Sequence, residues 1–194
     1  MKRFYSTVMF VFLLTGLYSQ TITYDDFKGL IPYVSAEKWK SAYKESSKLL
    51  KAAEKDTSDL KGIVVYINIF SAAGLVTEGK MSYKELEEKV MPLKGQKVVM
   101  PGHRLSSKPG SLNTLSFSIS DSTNTAFTSS TNHLGTNILC FEKFYLKEKI
   151  NPDDFKNAMV RCGGTLEKIE FNPNQSLIWI MRLIVKDAFA RKAN

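Results

Sequence analysis

Cysteine, histidine and long apolar runs are all scarce in this chain, and each scarcity removes a class of function. Only two cysteines occur, Cys140 and Cys162, and only two histidines, His103 and His133. A tetrahedral zinc site would need all four, and none of the short spacings that such sites use is present, so neither a metal nor another cofactor is expected. No G-x-S-x-G elbow places a nucleophilic serine, and no carboxylate is marked as the third member of a triad. His103 and His133 are read as loop residues near serines (Ser106 and Ser107; Ser129 and Ser130), so a histidine-dependent hydrolase is kept as the second hypothesis. The first is a protein that is not an enzyme.

The one apolar run at the N-terminus is short. Lys2 and Arg3 precede Val8–Leu14, and Leu17-Tyr18-Ser19-Gln20 offers a small residue at a cutting position. The run falls below the ~20 residues needed to cross a bilayer, so residues 1–19 are expected to be a cleaved signal peptide. The mature protein is then exported, periplasmic or secreted, with no membrane span. No cysteine lies there to carry a lipid, so a lipoprotein is excluded.

What remains is ordinary for a globular domain: 43% hydrophobic and 24% charged residues exclude disordered, collagen-like and multi-span membrane classes. The formal charge is +8, of which Lys2 and Arg3 leave with the leader. Such a balance favours acidic partners, but the densest stretches, 38–55 and 182–192, are broken by apolar and acidic residues and read as solvated faces. For Cys140 and Cys162, one disulfide and two free buried thiols both stay open.

Residues 20–92 read as a helical segment. Ser35 is placed as the N-cap of a helix over 36–55, in which Trp39, Tyr43, Leu49, Leu50 and Ala53 recur at helical spacing. Ser58 or Asp59 caps a second helix over 60–78, closed by Gly79. The β-branched run Ile63–Phe70 also suits a buried strand, but its apolar character continues through Val76, which favours a buried helix. Ser82-Tyr83-Lys84-Glu85 is a capping box for a short helix to about Met91 that Pro92 ends.

Residues 93–194 read as strands: 95–100 up to Pro101-Gly102, the alternating 115–120, 137–145, 159–171 and 177–186. Asp121–Asn124 and Asn172-Pro173-Asn174 are turns, and Asn151-Pro152-Asp153-Asp154 opens a short helix. The fold class is therefore α+β, with N-terminal helices packed on a five-stranded OB-like β-barrel, its helix between the third and fourth strands. The run from Leu93-Lys94-Gly95-Gln96-Lys97-Val98 to Ile178-Trp179-Ile180-Met181 resembles OB-fold domains of the anticodon-binding type. Ala72-Ala73-Gly74-Leu75 to Met81-Ser82 resembles the helical leader of exported bacterial proteins without assigned function. Both resemblances imply architecture rather than activity.

On that architecture the ligand face is formed by the strands at 115–120 and 137–145. Ser116 and Ser118 supply hydroxyls and Lys143 and Tyr145 a basic and an aromatic group, with His103 and Arg104 added from the loop after Pro101. A face of serines cannot stack bases, so nucleic acid is disfavoured; a polar ligand such as a glycan or an extended peptide, or a protein partner, is expected. Polyanion binding by the basic surface is the third reading. On the closing strand, Leu177, Trp179, Met181, Leu183 and Val185 read as core. The opposite face (Ile178, Ile180, Ile184) is expected to be covered by the helix over 60–78.

Overall fold

The computed structural model describes residues 20–106 and 111–193; the expected signal peptide lies outside them. The protein is α+β. Four helices, α1 (Tyr24–Ser35), α2 (Trp39–Ala52), α3 (Asp59–Thr77) and α4 (Tyr83–Val90), precede the strands. Among the described residues the strands number seven: β1 (Lys97–Val99), β2 (His103–Leu105), β3 (Thr114–Ile119), β4 (Asn124–Thr131), β5 (Ile138–Leu146), β6 (Met159–Phe171) and β7 (Trp179–Lys192).

The helix termini follow local chemistry. Thr23 and Asp26 form a capping box at the start of α1, and Ser82 and Glu85 form the expected one at α4. Ser58 accepts from the backbone N–H of Lys61 and opens α3, whose end is followed by Gly79 at φ 66°. A glycine there avoids the Cβ clash that this conformation imposes on other residues. Ser35 is not an N-cap: it is the last residue of α1, and α2 begins four residues later, at Trp39. The chain turns between them through Glu37, at φ 51°.

α3 is apolar all round because it is surrounded. It has the length and hydropathy of a membrane span, but most of it is buried inside the protein. Ile63, Val64 and Ile67 pack with Leu30, Ala53 and Val99. Val65, Tyr66, Ile69 and Ala73 belong to the main core with strand residues such as Leu115, Phe144, Met181 and Leu183. Asn68 ties α3 to α2 by donating to Ser46 Oγ at 2.9 Å and Ser47 Oγ at 2.8 Å. At its first turn Asp59 pairs with Lys97 of β1 and Arg191 of β7.

The expected strand count of five is corrected to seven. β1 and β2 are two pieces of one path along β6, Val98 opposite Gly164 and His103 opposite Val160. The break falls at Pro101-Gly102, where proline has no N–H for the ladder. β4 is wholly new and pairs antiparallel with both β3 and β5. The remaining pairings are β2 with β3 and β5 with β7, both parallel, and β6 with β7, antiparallel. The hydrogen-bonded ladder thus runs β6–β2–β3–β4–β5–β7 and returns to β6. β7 also runs further than expected, to Lys192, and its register slips on both edges around Asp187, at φ 48°. Such an extra residue bends a strand and increases its twist. The loop between β5 and β6 holds one 3-10 turn, Pro152–Phe155, opened by Asn151 as its N-cap; Phe155 packs on Phe117 at 5.4 Å between ring centroids.

Two expectations about β7 change. Met181, Leu183 and Val185 are core, but Trp179 is half-buried and Leu177 exposed. α3 does not cover Ile178, which is 71% exposed, nor does it lie over Ile184. Instead the α3 side chain Tyr66 reaches Glu142 and Ser130, on the face that carries Leu183 and Met181. Ile180 is buried near α4, whose Tyr83 hydroxyl lies 3.0 Å from Ser176 O and 3.3 Å from Trp179 O.

Candidate functional site

Register decides which side chains meet on the outer face of the sheet. Residues directly opposite across a ladder share a face, so Ser116, Phe127, Lys143 and Ile184 form one row across β3, β4, β5 and β7. Ser129, Phe141, Arg182 and Glu170 form the next row. Ser118, Thr125 and Tyr145 form a third on the other side. The first two rows floor a pocket of about 580 Å³, walled also by Ser111, Leu112, Thr114 and Ile138. Its size suits a small ligand or a few units of a chain-like one.

The electrostatics of this pocket rest on two cations seated over rings. Lys143 Nζ lies 5.5 Å from the Phe127 centroid and 4.7 Å from that of Tyr145. Arg182 sits 6.0 Å from Phe141 and 5.8 Å from Trp179. All four distances are within the range in which the ring quadrupole attracts a cation. Arg182 also donates to Glu170 Oε2 at 3.1 Å, and Lys168 donates to Glu170 Oε1 at 2.7 Å. The Lys168 bond, with help from Arg182, holds the Glu170 carboxyl below its usual range. Among the described residues Lys143 makes no ion pair.

On the inner face of the same strands lies a buried polar cluster. The Tyr66 hydroxyl is 2.7 Å from Glu142 Oε1 and 2.7 Å from Ser130 Oγ. Burial drives the Glu142 pKa up to about 8, against the opposing pull of the hydrogen bonds from Tyr66 and Ser130. Glu142 is therefore a neutral acid at pH 7. Its Oε2 and the hydroxyl of Thr128, directly opposite on β4, have no partner among the described residues.

The residues expected on the ligand face separate into three groups. Ser116 and Lys143 do meet in the pocket; Ser118 and Tyr145 are in register one row outside it. His103 and Arg104 are not loop residues but lie on β2, and neither lines a pocket described here. The His103 ring sits 2.9 Å from Pro101 O through Nδ1, and burial lowers its pKa. His133 is exposed in the β4–β5 turn, its backbone N–H donating to Glu37. Cys140 and Cys162 are free and buried, with no disulfide between them. Burial raises both thiols, that of Cys162 to about 12. A thiol reagent is thus expected to leave the native protein unmodified and to titrate both cysteines in denaturant; reaction of either in native buffer would contradict their burial.

Phe127, Arg182 and Glu170 enter the site without having been singled out from the sequence, and Ser129, named there only as a neighbour of His133, enters with them. On β5, Phe144 is core, whereas Phe141 lines the pocket. Among the described residues no three His, Cys, Asp or Glu side chains gather as a metal site would require. The class these features define is an α+β domain with an aromatic, basic and hydroxyl-lined pocket on a sheet face. No family model, curated protein or solved structure matches the chain.

Proposed function

We propose that this chain is an exported, non-enzymatic binding module that holds a polar, carbohydrate-like ligand in the pocket over β3, β4, β5 and β7. One observation carries the reading: Phe127 and Phe141 lie on adjacent rows with the Ser116 and Ser129 hydroxyls and the Lys143 and Arg182 cations around them. A sugar presents an apolar C–H face to an aromatic ring and hydroxyls to serines and cations at the same time. An extended peptide fits less well. Peptides that join sheets do so at an unpaired strand edge, whereas β4, β5 and β7, which hold both rings and both cations of the pocket, are each paired on both sides.

The ladder that returns on itself supports an OB-like barrel as the framework. The β3–β4–β5 meander, the parallel β5–β7 pair, the antiparallel β6–β7 pair and the short helical turn before β6 all favour that reading, with β2 standing between β3 and β6. The parallel β2–β3 contact is an addition to it. In that framework the pocket falls on the face where such barrels take oligomeric ligands.

The test is a glycan screen followed by titration of the best binder against Phe127→Ala and Phe141→Ala. Each substitution is expected to weaken binding by about tenfold or more, as loss of an aromatic anchor does elsewhere, with little change in melting temperature. A screen with no glycan binder, or unchanged affinity in both variants, would remove the reading.

A further inference from the structure

We infer that the sugar held in this pocket is an acidic one, and that Lys143 meets its carboxylate. The inference rests on the carbohydrate reading above and adds the ligand's charge. Lys143, Arg182 and Lys168 stand on neighbouring positions of β5, β7 and β6, because Lys143 pairs with Ile184, and Ile184 with Lys168. Against these three cations the outer rows hold one carboxylate, Glu170, and both of its oxygens are engaged, by Lys168 and by Arg182. Glu142 also lines the pocket, but its carboxyl is turned inward to the Tyr66 hydroxyl, and burial keeps it protonated at pH 7. The pocket side of the sheet therefore carries uncompensated positive charge centred on Lys143.

The geometry sets where an anion can sit. Lys143 is held between Phe127 and Tyr145, 5.5 and 4.7 Å from their centroids, so its ammonium group is fixed above the aromatic floor. Ser116 and Phe127 share its row, which places hydroxyl, ring and cation in line across the strands. A uronic acid matches this order: ring hydroxyls, an apolar face and an equatorial carboxylate on one unit. Single-stranded nucleic acid matches it less well. Glu170 stands in the wall that a phosphate chain would have to follow.

Isothermal titration at low salt with tri-galacturonate and its methyl ester tests this, with an oligo-dT strand as a third ligand. Wild-type protein is expected to bind the acid at least tenfold more tightly than the ester. That ratio should fall below about threefold in Lys143→Met, which keeps an apolar stem over Phe127, and persist in Lys143→Arg; melting curves confirm that both variants fold. Equal affinity for acid and ester would overturn the acidic preference while leaving the carbohydrate reading intact. Binding of neither sugar would overturn both. A preference for the acid that survives Lys143→Met would remove Lys143 from the role, and tighter binding of the oligo-dT strand than of the acid would replace the ligand class.

Discussion

Replacing Glu142 with glutamine is expected to abolish a loss of stability that the wild-type protein suffers between about pH 5 and pH 8. In the unfolded chain this carboxyl ionises near the ordinary glutamate value of 4.5, whereas in the fold burial holds it protonated up to about 8. Between those values the unfolded state binds fewer protons than the native one, so stability falls as pH rises, and the fall ends above the native pKa. Each unit of difference corresponds to about 1.4 kcal/mol, which makes the whole effect on the order of a few kcal/mol. Glutamine has no proton to lose, and its carbonyl oxygen can take the Tyr66 hydroxyl as Glu142 Oε1 does. Urea midpoints at pH 5, 6.5 and 8 should therefore converge for wild type and variant at the low end and separate at the high end. Parallel profiles would mean that Glu142 is not held neutral in the core.

The same cluster explains why a glutamate occupies a position that alternation assigns to the core. Tyr66 comes from α3, while Ser130 and Glu142 come from β4 and β5, so their hydrogen bonds fix the helix against one register of the strands. A purely apolar contact does not distinguish neighbouring registers in this way, and a partnered polar group does. Tyr66→Phe leaves both Ser130 and Glu142 without that partner in a dry site. It is expected to cost about 1–3 kcal/mol by the usual penalty for orphaned buried groups, read as a lower urea midpoint at pH 6. An unchanged midpoint would show that the hydroxyl carries no load.

The helices were legible because their ends are written in local chemistry. Ser58, Gly79 and the Ser82–Glu85 box each act within a few residues of themselves. Ser35 was misplaced because a serine ahead of an amphipathic run has the form of an N-cap; α1, with Pro32 inside it, runs on to Ser35. The strands were legible only where one face is apolar and the other is not, as in Leu115, Phe117 and Ile119 of β3. β4 escaped because its inner residues, Ala126, Thr128 and Ser130, are no more apolar than its outer ones, Thr125, Phe127 and Ser129. Its core position becomes visible only when the Tyr66 hydroxyl is seen to take up Ser130. Missing β4 also hid the pocket. Ser116 and Lys143 could be named from their own strands, but the ring between them, Phe127, lies on the strand that carries no period. Arg182 lies on the same face of β7 as Ile184, and in the folded protein it joins Phe141 to Glu170.

Gly164→Ala is expected to be among the most damaging single-methyl additions in this protein. Gly164 sits on β6 with Val98 opposite on one edge and β7 on the other, at the point where the β6–β7 register shifts. A Cβ there would lie 2.5 Å from the carbonyl oxygen of Lys186 and 2.8 Å from the Cα of Ala188. Both are backbone atoms of a strand paired on its two sides, so neither can swing away as a side-chain tip would. Over-packing costs typically ~1–3 kcal/mol when side chains can adjust, and here the ladder itself must move, so the loss should reach or exceed the top of that range. Gly29→Ala is the control. Gly29 is exposed within α1 and a Cβ there meets nothing within 4 Å, so the same methyl should stabilise the helix by roughly 0.5–1 kcal/mol. Urea midpoints of the two variants are thus expected to move in opposite directions from wild type. If Gly164→Ala instead unfolds at the wild-type midpoint, β6 and β7 do not approach as closely as the pairing around Gly164 requires, and the closed ladder that supports the pocket is not the structure in solution.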